Sequence, residues 1–177
     1  MKQKATPECE SNTLSLGFPK YPGYQGAFCT GPHKVITTIL ADTPEEDILH
    51  LYSGSSEIGG TRVDYAHTNA THRQDVIEFI ETNRRVWKFV LLDPPYDMVR
   101  TTTIADYARK VSLCADVSLR RAFEDWSARH AVNILWLDMC APIFTPFIRY
   151  QMWLFLPGGY RKVRVLSWLQ NAHLMNG

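Results

Sequence analysis

The sequence predicts an α/β fold, a doubly wound and mainly parallel sheet that closes in a C-terminal antiparallel hairpin. Three observations predict it. Short apolar runs at 47–52, 87–92 and 132–137 alternate with stretches of helical period. The first two of these runs end in compact loop chemistry, Ser53-Gly54 and Asp93-Pro94-Pro95. The chain then finishes with two aromatic runs around Pro157-Gly158-Gly159, a turn between paired strands. Strands alternating with helices build a parallel sheet covered on both faces.

The elements follow in order. Residues 1 to about 17 are polar and read as a mobile lead. Residues 18–26 (FPKYPGYQG) hold too much Pro and Gly for a regular element. Residues 1–33 are therefore an N-terminal arm and 34–177 a single domain. Residues 32–40 read as a short helix, and Thr43-Pro44-Glu45-Glu46 punctuates the entry to the first strand. A second short strand, 61–65, precedes a helix at 75–83. The central strand is 87–92. Residues 104–113 and 117–129 repeat apolar side chains near every 3.6 positions and read as helices. The strand 132–137 ends at Asp138, and Pro142 and Pro146 break the segment after it. Residues 152–156 and 160–168 form the hairpin.

Asp93-Pro94-Pro95-Tyr96 is the most informative feature. It follows the apolar Val90-Leu91-Leu92. Both prolines lack an N–H and have fixed φ, so the loop is stiff. The carboxylate and nearby carbonyls are acceptors with few competing donors. Such a group grips an amino nitrogen from two sides, and the Tyr96 ring can lie on a flat substrate. Upstream, a strand runs straight into Ser53-Gly54-Ser55-Ser56, a loop whose glycine lets backbone approach a ligand closely. Asp64 ends the next strand. A carboxylate there accepts two ribose O–H groups at once, or is a surface acid. The usual gap from glycine loop to acid is about 20 residues and holds a helix. Gly54 and Asp64 are ten apart, which predicts a tight loop or a single helical turn. Asp75 precedes an amphipathic stretch and suits a helix N-cap.

These motifs, in this order, resemble the amino-methyltransferases that methylate exocyclic nitrogens of nucleobases. The resemblance covers about 45 to 100 by motif. It implies a Rossmann-like class I methyltransferase fold and S-adenosyl-L-methionine as cofactor. It implies a catalytic group of Asp93, Pro94, Pro95 and Tyr96. Ser53, Gly54, Ser55, Asp64, Asp75 and Asp93 would face the cofactor, with Asp64 on its ribose and Asp75 on the adenine amine. The expected target is N6 of adenine in DNA, with N4 of cytosine and RNA bases as alternatives. A catalytically inactive, cofactor-binding partner subunit is the reading from a different class. Some 40 residues separate the two loops, too few for a sequence-reading domain.

Tyr21 and Tyr24 are expected beside Tyr96 on the substrate side, or as anchors of the arm. The basic cluster Arg161, Lys162 and Arg164 lies among aromatic residues and is expected to hold phosphates. A net charge of +1 gives no bulk case for duplex binding. The 4 cysteines have no CxxC spacing and the 6 histidines no HExxH spacing, so no metal is expected. No segment has the apolar length to span a bilayer or the apolar core of a signal peptide, which predicts a cytoplasmic protein without membrane contact. A homodimer or a partner-subunit role stays open.

Overall fold

The computed structural model describes residues 10–15, 28, 30–94, 117–156 and 163–175. Its strands are β1 (Glu10–Ser15), β2 (Ile48–Leu51), β3 (Thr61–Val63), β4 (Trp87–Leu92), β5 (Ala131–Asp138), β6 (Phe147–Leu156) and β7 (Arg164–Asn171). Its helices are α1 (Thr30–Ile39), α2 (Val76–Thr82) and α3 (Val117–His130). The strands form one sheet in the order β1-β6-β7-β5-β4-β2-β3. Every neighbouring pair is parallel except the two that involve β7. The architecture is thus a mixed α/β sheet, mostly parallel, with an antiparallel hairpin, as the alternation of elements predicts.

Helices cover both faces because the strands alternate side chains between them. Leu49, Leu51, Val90, Leu92, Ile134 and Trp136 pack with Phe79 and Ile80 of α2 and with Phe123 and Trp126 of α3. Ile48, Phe89, Leu91, Leu135 and Leu137 pack with Ile36 of α1. β2 and most of β4 are buried throughout, the usual state of strands covered on both sides. α2 buries Val76, Phe79 and Ile80, and α3 buries Phe123, Trp126 and Ser127. Each set has the i, i+3, i+4 spacing of one helical face.

Side-chain bonds tie the hairpin to the centre. Asn133 on β5 donates to the Lys88 carbonyl on β4 and accepts from the Trp168 indole on β7. Asn171 donates to the carbonyls of Ala128 and Ala131. These contacts fix where β7 begins, and hence where Arg164 stands.

Two expectations change. The lead read as polar and mobile contains β1, which pairs with β6 from Glu10↔Gln151 to Ser15↔Leu156. Its sequence, ESNTLS, carries no apolar alternation, and its pairing comes from the edge of β6. β6 starts at Phe147, directly after Pro146, five positions before the expected 152. A register shift between Arg149 and Gln151 interrupts the alternation that would have marked it. The helix expected at 104–113 lies outside the described residues. The turn between β2 and β3 is a loop without a helix, as its short spacing predicts.

Candidate active site at the carboxyl ends of the strands

β2 lies between β3 and β4. The chain leaves β2 toward β3 on one side and returns as β4 on the other. In open α/β sheets, ligands sit outside the carboxyl ends at such a reversal. Leu51 on β2 is paired with Leu92 on β4, so Tyr52 and Asp93 are the next residues on neighbouring strands. The two sequence motifs therefore meet at one edge.

The β2 loop is tightly bonded. Tyr52 is buried at 5% exposure with φ of 57°, and Gly54 has φ of 52°. A buried non-glycine residue in that region is strained and is held by its surroundings. The Ser53 N–H donates to the Val63 carbonyl at 3.1 Å, and Ser56 N–H to the Ser53 carbonyl at 2.9 Å. Gly60 reaches back, its N–H donating to the Glu45 carbonyl at 2.7 Å. A Cβ on Gly60 would lie 2.8 Å from that same oxygen, so a side chain is excluded there.

Asp64 is the clasp of this loop. Its Oδ2 accepts the Gly54 N–H at 2.9 Å, and its Oδ1 accepts the N–H groups of Ala66 and His67, each at 2.9 Å. Asp75 caps α2, accepting from the N–H groups of Ile77 at 2.7 Å and Glu78 at 3.4 Å. The cap expected from the sequence is thus present. The Ser53 hydroxyl is buried and has no hydrogen-bond partner among the described residues. Beside the loop, Phe28, His33, Ser55, Ser56 and Glu57 line a cavity of about 230 Å³.

The β4 end differs. The Asp93 side chain is only 10% exposed, and Arg164 Nη1 lies 4.0 Å from its Oδ1. Burial pushes the Asp93 carboxyl up to about 7, Arg164 pulls it down, and Asp138 adds to the rise. Asp138, at the end of β5, is 1% exposed and accepts from the Trp136 indole N–H at 3.1 Å and from the Met139 N–H. Burial, and then Asp138, raise the nearby Cys140 thiol. A second cavity, of about 360 Å³, has Trp136, Asp138 and Cys140 on one side and Arg120, Arg121 and Glu124 of α3 on the other.

His50 belongs to the packing. It is 1% exposed, stacks on Phe28 at 5.2 Å and places Nδ1 3.2 Å from the Ile58 carbonyl. Burial lowers its pKa to about 4, so the ring is neutral near pH 7. Among the described residues no cluster of three His, Cys, Asp or Glu side chains could hold a metal. No helix among them is long and apolar enough to cross a membrane.

Of the residues singled out in the sequence, Ser53, Gly54, Ser55, Asp64, Asp93, Pro94 and Arg164 lie at this edge, and Asp75 begins α2. Pro95, Tyr96, Tyr21, Tyr24, Arg161 and Lys162 lie outside the described residues. Arg164 stands beside Asp93, a place its membership of a basic cluster did not suggest. Asp138 was legible only as a strand end. A second acid at the end of a strand next to β4 was the available signal. No protein-family model and no curated protein matches the chain.

Proposed function

We propose that this chain is an S-adenosylmethionine-dependent methyltransferase acting on an exocyclic amino group of a nucleobase. N6 of adenine in DNA is the first target and N4 of cytosine the next. One observation carries the reading. Asp93-Pro94 ends β4 next to the Tyr52-Ser53-Gly54 loop that ends β2, at the reversal of strand order. The mostly parallel sheet with its antiparallel hairpin is compatible with a Rossmann-like class I methyltransferase.

The residues present fit the cofactor. The buried Ser53 hydroxyl is a polar group awaiting a partner. Asp64 spends three of roughly four acceptor positions on backbone N–H groups, which leaves one for a ribose hydroxyl. Asp75 is an acid near the same edge, one oxygen of which serves the helix cap. When bound, S-adenosylmethionine supplies an activated methyl group.

The chain's own residues supply the rest. An aromatic amine is a poor nucleophile because its lone pair is shared with the ring. The Asp93 carboxylate and the Pro94 carbonyl accept its two N–H groups and favour a pyramidal nitrogen. Acceptors already in place stabilise the positive charge that develops there. Positioning does the remainder. Tyr96 stacks the base. In a duplex the base first leaves the stack at a cost of a few kcal/mol, which single-stranded substrate avoids.

A second reading has one observation on its side. Arg164 lies against Asp93, where the target amine would be held, as suits a cofactor-binding subunit that transfers nothing itself. Tritiated methyl transfer to duplex DNA, single-stranded DNA and RNA, followed by nucleoside analysis, separates the readings. The first expects label in N6-methyldeoxyadenosine. Cofactor binding without transfer to any of the three supports the second. Label only in RNA moves the substrate class, and absence of cofactor binding ends both.

A further inference from the structure

We propose that Arg164 is a positioning residue of this site, which favours the carboxylate form of Asp93 by holding a guanidinium beside it. The inference rests on the reading of Asp93 as the amine acceptor, and it takes Arg164 out of the phosphate-binding cluster.

The geometry is specific. Arg164 is the first residue of β7, opposite Phe155 on β6. Its neighbour Val165 is paired with Asp138 on β5, and β5 lies between β7 and β4. Arg164 reaches past the end of β5 to Asp93, at 4.0 Å, with side-chain exposures of 29% and 10%. Leu166, two residues on, packs in the same cluster as Leu91 and Leu137. Arg164 therefore shares a sheet face with Asp93, because alternate residues of a strand lie on one side. Contact at 4.0 Å is too long for a hydrogen bond and acts through charge.

The chemistry gains from that charge. Asp93 accepts from an amine more strongly when ionised, and burial opposes ionisation. Among the described residues, the charged groups acting on it are Arg164, which favours the carboxylate, and Asp138, which opposes it. On the neighbouring strand β2, His50 is neutral near pH 7. On α1, which packs against this face, His33 and Lys34 are exposed. Among the described residues Arg164 is thus the cation set against the buried Asp93. A surface phosphate-binding arginine would not need this position.

The test follows the Asp93 carboxyl directly by carbon-13 NMR titration in wild type, Arg164→Gln and Arg164→Lys. Removal of an opposite charge at this range is expected to raise the Asp93 midpoint by about one unit or more. The Lys variant should restore most of the wild-type value. In single-stranded DNA methylation, the acid limb of kcat/KM should move upward by the same amount in Arg164→Gln, with cofactor affinity unchanged. An unchanged Asp93 midpoint in folded Arg164→Gln overturns the proposal. Should that variant fail to fold, Arg164→Met, which also removes the charge, carries the test together with Asp138→Asn. The midpoint must then rise in Arg164→Met and fall in Asp138→Asn, and a midpoint unmoved in Arg164→Met also overturns the proposal. Titration needs no turnover, so absence of methyl transfer in wild type would sink the functional reading while leaving the Arg164 measurement intact.

Discussion

Asp64 follows β3 and Asp93 follows β4, on either side of β2 at one edge of the sheet, yet their surroundings differ in kind. Asp64 is partly exposed and spends its oxygens on three backbone N–H groups of its own and the preceding loop. Asp93 is nearly buried, faces a guanidinium at 4.0 Å and has a proton affinity moved to near neutrality. A carboxylate bonded by backbone N–H groups is a fixed part of the loop's architecture. A buried carboxylate whose charge is balanced by side chains can respond to a substrate. On the proposed reading the two halves of the edge divide the work: the β2–β3 side supplies a rigid cradle, and the β4–β5–β7 side supplies adjustable charge.

The largest effect that would break this comparison is at Asp93. Asp93→Ala should lower methyl transfer by about 100-fold or more, the scale of losing a preorganised electrostatic group, with cofactor binding by calorimetry unchanged. The pH dependence has a definite sign. Folding raises the Asp93 pKa from 3.8 to about 7. Its contribution to stability is whole below pH 3.8 and is lost as pH rises to about 7. Activity runs the other way, with kcat/KM falling below about pH 7 as the acceptor protonates. Asp93→Asn should flatten that limb and gain stability relative to wild type between pH 5 and 8. A variant that transfers methyl groups at the wild-type rate after Asp93→Ala would contradict the assignment outright.

The next effect lies on the rigid side. Asp64→Ala leaves three N–H groups without their acceptor and should cost on the order of 3 kcal/mol of stability, since bonds to a charged group contribute about 1.5–3 kcal/mol each and solvent replaces part of them. Cofactor affinity should fall at least about tenfold, near 1.4 kcal/mol. Urea unfolding and calorimetry on the same variant read the two quantities. Lost affinity with full stability would mean that Asp64 is a ligand-binding group and no clasp.

Asp75 gives a smaller and cleaner contrast. Asp75→Ala removes the cap of α2 and should cost about 1 kcal/mol. Asp75→Ser keeps a capping oxygen and should restore most of that stability. If the acid also holds the cofactor's adenine amine, affinity stays low in the Ser variant. Recovery of both would confine Asp75 to the cap.

Legibility follows the same division. The central strand, the hairpin, α2 with its cap and the helix-free β2–β3 turn could be read because apolar period and turn chemistry are local. β1 could not, since its polar sequence pairs only where β6 offers an edge. The relation of Arg164 to Asp93 could not either, because it spans 71 positions of sequence and arises from the antiparallel placement of β7 beside β5. Asp138 acquires its meaning through the same placement. Local pattern revealed the cradle, and topology assembled the charges.

The smallest expected effect concerns the rest of the basic cluster. On the proposed reading, with Arg164 set against Asp93, Arg161 and Lys162 are left as the proposed phosphate contacts. Charge reversal at these two alone should weaken binding to single-stranded DNA and reduce the slope of log K against log salt. Each lost phosphate contact is worth about 0.7 on a single strand, so the slope should fall by about 1.4. The Asp93 titration and the cofactor affinity should stay where they are, because neither residue is assigned to that site. Adding the Arg164 substitution should move the Asp93 midpoint without a further change of slope. An unaltered slope in the Arg161 and Lys162 variant would place the nucleic acid elsewhere on the molecule. A further drop on loss of Arg164 would return that residue to the phosphate-binding surface and undo the division of charge drawn here.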